Sequence, residues 1–242
     1  MSPKPTHRLV RRPKVTGSYL ADYMAGSERA RRRIVRDCKF RPIARIIQHD
    51  RAKLAVSRFL LEGASECDLL TQEAARLRSM MADSPFDRDV LDNNADYVDA
   101  FAAAFPNLEM PDASRLPFSQ DWRAAICGVE VNPGVQFALQ RVTRTNKTKT
   151  GLVAFRYAKG RALAEDAALW QSALLFGCRR AFDQEEEAEP EQRLCLTLDA
   201  FSGTAHAAPG DAVSRYLNIE AACQSIAERW DSVEPPEGAV IS

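Results

Sequence analysis

The chain has 242 residues, 45% of them hydrophobic and 27% charged, and a formal net charge of zero. This composition fits a soluble globular protein with enough chain for a substantial core, and no internal repeat is visible. No apolar run nears the roughly 20 residues that span a bilayer, and no apolar leader opens the chain, so the expectation is a cytoplasmic protein with no membrane partner.

Taken in order, residues 1–15 read as a basic, proline-containing extension. Thr16 or Ser18 can cap a helix reaching about Lys39, with Tyr19 and Tyr23 one turn apart. A second helix is predicted from Pro42, since proline suits the first helical position, with Ile43, Ile47, Leu54 and Leu61 as its apolar stripe. Ser65 and Asp68 open a third, on which Leu70, Ala74, Leu77 and Met81 recur at helical spacing. Ser84-Pro85-Phe86-Asp87 combines a cap, an N-terminal proline and a first-turn carboxylate, and starts a fourth helix that ends by Pro106. Residues 106–121 read as a proline-rich loop.

Residues 122–161 are the long region that reads as sheet. Ala124 to Val131 is an apolar run fit for a central strand, and Asn132-Pro133-Gly134 is a turn. From Val135 the residues alternate, with Val135, Phe137, Leu139 and Arg141 on one face. A polar loop at 145–151 then leads into a third strand, 152–158. Leu163, Ala167, Trp170 and Leu174 mark a helix to about Phe182, followed by an acidic run (Asp183, Glu185, Glu186, Glu187, Glu189, Glu191) expected as a solvated loop. Leu194 to Phe201 is a fourth strand, Thr204 to Ala208 its short partner, and a last helix buries Ile219, Cys223, Ile226 and Trp230. The expected class is α+β, with a helical N-terminal half at 16–106 and a mixed, mainly antiparallel sheet domain at 107–242. The two can equally form one continuous unit.

The zero net charge hides blocks of opposite sign. Residues 1–61 carry sixteen Lys/Arg against four Asp/Glu, and residues 62–121 carry four against thirteen. Residues 122–180 carry ten against three, and residues 181–242 three against thirteen. Two readings stay open: the blocks pair inside the folded chain, or they leave a basic surface suited to phosphates. The candidate nucleic-acid contacts are Arg29, Arg31, Arg32, Arg33, Arg36, Lys39 and Arg41, with Lys147, Lys149, Arg156 and Lys159 of the sheet region. Three consecutive arginines point around a helix in directions too different to share one acidic face.

From residue 85 onward the order is helix, three strands, helix, strand. This resembles the αβββαβ core of the PD-(D/E)XK nuclease superfamily, over roughly residues 85–201. The resemblance implies an Asp at the start of the second core strand and a Glu/Asp-x-Lys on the third, together holding a divalent metal that activates water. Here Gly134 stands where the Asp belongs, and the third strand, Val153-Ala154-Phe155-Arg156-Tyr157-Ala158-Lys159, has no acid; Lys159 is its remnant. Glu130, Glu165, Asp166 and Asp199 are the carboxylates that could have migrated into such a site. His7, His49 and His206 form no spacing that suggests a catalytic triad. Cys38, Cys67, Cys127, Cys178, Cys195 and Cys223 lack CxxC spacing, and no Walker A, GxGxxG or HExxH pattern occurs, so no metal or cofactor is expected. The reading is a non-enzymatic, nucleic-acid-associated protein on a degenerate nuclease-like core, with DNA or RNA as partner. The alternatives are a protein–protein adaptor or homo-oligomeric assembly component, and a nuclease with migrated carboxylates.

Overall fold

The computed structural model describes residues 4–43, 47–119, 121–182 and 188–242. It is α+β, helical in its N-terminal half with the strands mostly behind, as expected. The chain opens with two short strands, β1 (His7–Leu9) and β2 (Lys14–Thr16). The single helix expected over 16–39 is two. In α1 (Gly17–Ala25) the Thr16 hydroxyl accepts from the Tyr19 amide, and in α2 (Glu28–Lys39) the Ser27 hydroxyl accepts from that of Ala30. Gly26-Ser27 therefore supplies a stop and a fresh cap inside what reads as one helix.

Pro42 closes a strand rather than opening a helix. The strand β3 (Phe40–Pro42) pairs antiparallel with β1, and α3 runs only over Asp50–Leu61. Residues 44–46 of the helix predicted there lie outside the described residues. The helix α4 (Asp68–Ser79) starts behind Cys67, which makes no side-chain cap bond, rather than behind the expected Ser65 cap; α5 (Pro85–Ala104) starts where its cap predicts, with Ser84 accepting from the Asp87 amide.

The main sheet departs from expectation at its first strand. The proline-rich segment read as loop contains β4 (Ser114–Pro117), while the apolar run 124–131 breaks into β5 (Ala124–Ile126) and β6 (Val129–Asn132). Cys127 and Gly128 at that break have φ of 43° and 82°, a tight reversal that splits the run into a hairpin. This hairpin joins β2 in a separate three-stranded sheet, β2-β6-β5. The main sheet is built from β4, β7 (Val135–Val142), β8 (Thr148–Arg156), β10 (Leu196–Asp199) and β11 (Thr204–Ala207), in spatial order β11-β10-β8-β7-β4, and β9 (Ala188–Pro190) also pairs with β8. The helix α6 (Glu165–Phe182) crosses between β8 and β10, which lie parallel, and α7 (Ala212–Arg229) closes the chain.

Side chains on the two faces of this sheet feed two cores. Phe137, Leu139, Val153 and Phe155 pack with Leu60, Leu77, Val98 and Phe101 of α3–α5. On the other face Ala138, Leu152 and Ala154 pack with Ala173, Leu175 and Phe176 of α6. A bulge between Val135 and Phe137 shifts Val135 to the α6 face, breaking the simple alternation. A third core joins the small sheet to α1, α2, α6 and α7 around Leu20, Leu174, Ile219 and Trp230.

α6 and α7 approach each other at Gly177, where an added Cβ would sit 1.8 Å from the Tyr216 ring. Alanine in mid-helix normally gains about 1 kcal/mol over glycine. Here overpacking dominates, and Gly177→Ala is expected to lose about 1–3 kcal/mol in urea unfolding. A stabilised variant would contradict this packing.

Candidate functional site

The charge blocks cancel unevenly. In the sheet block, Arg141 makes a two-pronged contact with Glu191 at 2.9 and 2.5 Å, and Lys147 and Lys149 both bond to Glu189. These pairs hold Glu189 below the usual carboxylate range, with Lys149 the larger cause. Lys159 bonds to Asp96 at 2.6 Å and lowers that carboxyl too. Of the expected acidic run, Asp183 to Glu187 lie outside the described residues; Glu189 and Glu191 bind the sheet block.

Arg156 is the most enclosed of these cations. It donates to both Asp22 oxygens at 2.8 and 3.0 Å, to the Ser18 carbonyl at 3.1 Å and to Gln171 Oε1 at 3.1 Å. Lys149 precedes Arg156 by seven positions on β8, roughly 23 Å of strand. The 144–149 hairpin and the α2 arginines therefore do not form one surface.

The N-terminal block is paired far less. Among the described residues, Arg8, Arg11, Arg12, Arg29, Arg33 and Arg41 have no ion-pair partner. Arg8 and Arg41 even stand directly opposite in the β1–β3 ladder, a like-charge pairing that costs stability. Arg32 reaches only Glu28, its neighbour one turn back, at 3.1 Å, and the pair is exposed.

Two of the sequence-predicted contacts in this block have structural work instead. Lys39 is buried, and its Nζ donates to the carbonyls of Trp230, Asp231 and Val233 at 2.8, 3.0 and 3.0 Å. It thus satisfies the carbonyls at the end of α7, where helical acceptors lack partners. Arg31 donates to the carbonyls of Tyr23 and Met24 at the end of α1, and stacks over the Tyr23 ring. An amphipathic reading of α2 does not expose these roles, because the acceptors are backbone carbonyls at the end of α1 and just beyond α7.

A groove of about 1040 Å³ runs between α2 and the end of α7 with the residues after it. Arg29, Arg32, Arg33 and Arg36 line one side, and Arg229, Ser232 and Glu234 the other. Arg229 and Glu234 were not foreseen, since nothing in the sequence places the last helix beside the arginine run. Arg36 Nε is buried in the groove wall without a hydrogen-bond acceptor among the described residues. The arrangement offers several guanidinium groups along one helix, open to solvent, with two carboxylates, Glu28 and Glu234, at the rim.

The four candidate carboxylates do not converge. Glu130 pairs with Lys14 at 2.6 Å on the small sheet, which lowers its pKa. Asp166 pairs with Arg215 at 3.2 Å. Asp199 is buried and accepts from the amides of Leu163 and Phe201 and from the Ser202 hydroxyl. Glu165 is exposed in the first turn of α6. Gly134 has φ of 77°, a conformation an aspartate would adopt only with strain. Among the described residues no three His, Cys, Asp or Glu side chains are grouped to hold a metal ion. His7 lies in β1, His49 immediately before α3, edge-on to Tyr97 and Tyr157, and His206 in β11. No helix among the described residues is long and apolar enough to cross a membrane. Comparison with known protein families and with curated proteins finds no match.

The division between structural and open cations is testable by unfolding. Lys39→Met, which strands three carbonyls, is expected to cost about 3 kcal/mol. Arg33→Ala is expected to stay within about 0.5 kcal/mol of wild type. Equal effects would contradict the division.

Proposed function

We propose that the protein binds nucleic acid without acting on it, laying phosphates along the α2 groove. The observation that carries this reading is the row of arginines on α2, open to solvent, in a chain where Arg141, Lys147, Lys149, Arg156 and Lys159 of the sheet region are paired internally. A row of exposed guanidinium groups costs the fold repulsion and returns little packing. Phosphates would supply the missing counter-charge, with counterion release as the driving force. The like-charged Arg8–Arg41 pair adds to the same deficit. An adaptor held together by opposite charge blocks has less to draw on, since Glu189, Glu191 and Asp96 are already engaged within the chain.

With β4 in place of the 124–131 run, the order α5, β4, β7, β8, α6, β10 still resembles that of the PD-(D/E)XK nucleases, and on that resemblance we read a nuclease-like ancestry in which phosphate binding outlasted the metal site. Gly134 and the acid-free β8 remove the residues that chemistry needs.

Wild type is expected to bind labelled DNA or RNA at low salt and to weaken steeply as salt rises. Arg29→Ala/Arg32→Ala should reduce the slope of log affinity against log salt by about 1.8 on duplex DNA, two contacts' worth. Arg31→Ala should instead lower stability, because it uncaps α1. In the same mixtures Mg²⁺ or Mn²⁺ is expected to produce no cleavage. Cleavage abolished by Asp199→Ala would revive the nuclease reading, and a wild type that binds nothing at low salt would end the binding one.

A further inference from the structure

On the other side of α2 lies a second concavity, about 440 Å³ in volume, at the carboxyl ends of β8 and β10. These strands are parallel neighbours, and their last residues, Arg156 and Asp199, are register partners. Open sheets bind ligands at such strand ends, where the next helix turns away. Here α6 begins at that point, and Leu163 and Ala164 line the wall.

The charges at the bottom of the cleft are already satisfied. Arg156 is held by Asp22, and Asp199 by Leu163, Phe201 and Ser202. What remains open is the rim: Arg33 from α2, Arg161 from the β8–α6 loop, and the ring of Tyr19, with the half-buried Tyr157, stacked on Tyr97 at 4.3 Å, also in the lining. Arg33 and Arg161 have no ion-pair partner among the described residues, and Tyr19 is 47% exposed, unusual for an aromatic residue on a short helix packed against the core. Ile34, Ala30 and Ala167 add apolar surface to the lining. Arg33 lines both this cleft and the groove, so the two concavities share a wall.

Resting on the binding role proposed above, we propose that the cleft takes one unstacked nucleotide of a single strand whose backbone follows the α2 groove. Arg33 and Arg161 hold its phosphate, and the exposed Tyr19 ring stacks on its base, with Tyr157 in the wall alongside. The volume suits one nucleotide, within the range of about 300–1,000 Å³ usual for small-ligand sites. A base can reach aromatic side chains this way only when unpaired, which selects single strands over duplex.

Fluorescence anisotropy with an oligothymidine of about 20 nucleotides and a duplex of equal length tests this. Tyr19→Ala and Arg161→Ala touch the cleft and not the groove. Each is expected to weaken single-strand binding by about fivefold or more, and to leave duplex binding within about twofold. Arg29→Ala/Arg32→Ala should weaken both ligands. If both cleft variants bind the oligothymidine like wild type while the groove variant loses affinity, the cleft assignment falls and the groove stands. If wild type binds neither ligand, both fall. Thermal unfolding of each variant near the wild-type midpoint excludes loss by misfolding, and a destabilised Tyr19→Ala is replaced by Tyr19→Leu, which keeps the apolar bulk and removes the ring.

Discussion

One guanidinium ties the helical hairpin of α1 and α2 to the sheet. Arg156 ends β8 and reaches across to Asp22 and the Ser18 carbonyl of α1, while Gln171 of α6 steadies it from behind. Its side chain is only 17% exposed, so this pair works where water screens poorly. Removing either partner would leave a charge without its counter-ion in a partly dry place, the costly case for ion pairs. The tether adds to the apolar packing of Leu20 and Tyr23 with Leu174 that seats α1 against α6, and so helps to set the position of α2 and of both concavities that α2 borders. Lys39 anchors the end of α2 to the carbonyls after α7, and Arg31 ties its first half to the end of α1. The arginine row is thus fixed by two cations that are not themselves available to a ligand.

The protein spends its acidic residues selectively. Glu189 and Glu191 neutralise the strand ends of β7 and β8, and Asp96 meets both Lys159 and Arg78. These are mostly surface pairs worth little each, and their consequence is electrostatic rather than stabilising. They remove positive potential from the hairpin side of the sheet and leave it concentrated around α2, β1 and β3.

Much of this was legible in the sequence, for identifiable reasons. Ser84-Pro85 carries a local start signal, so α5 falls where expected. The periodicity of Val153 to Phe155 marks β8 because both faces are buried. The misses come from long-range pairing. Ser114–Pro117 looks like loop because an edge strand tolerates proline, and only its ladder to β7 defines it. Ala124 to Val131 looks like one central strand because nothing apolar distinguishes Cys127-Gly128, and its partner Lys14–Thr16 lies far upstream. The arginine cluster was visible as composition. Which of its members are open was not, since Arg31 and Lys39 bind carbonyls of helices whose neighbourhood only the fold creates. The cleft was invisible, since it joins residues from α1, α2, β8 and β10.

The central claim is that nucleic acid meets the α1–α2 hairpin and the β8–α6 loop. Amide hydrogen exchange of the full chain, with and without a saturating single-stranded oligonucleotide, tests it most directly. Slowed exchange should be confined to residues 17–36 and 157–164, with the 143–149 hairpin unchanged. Protection centred on the hairpin, or no change anywhere at low salt, would contradict the account.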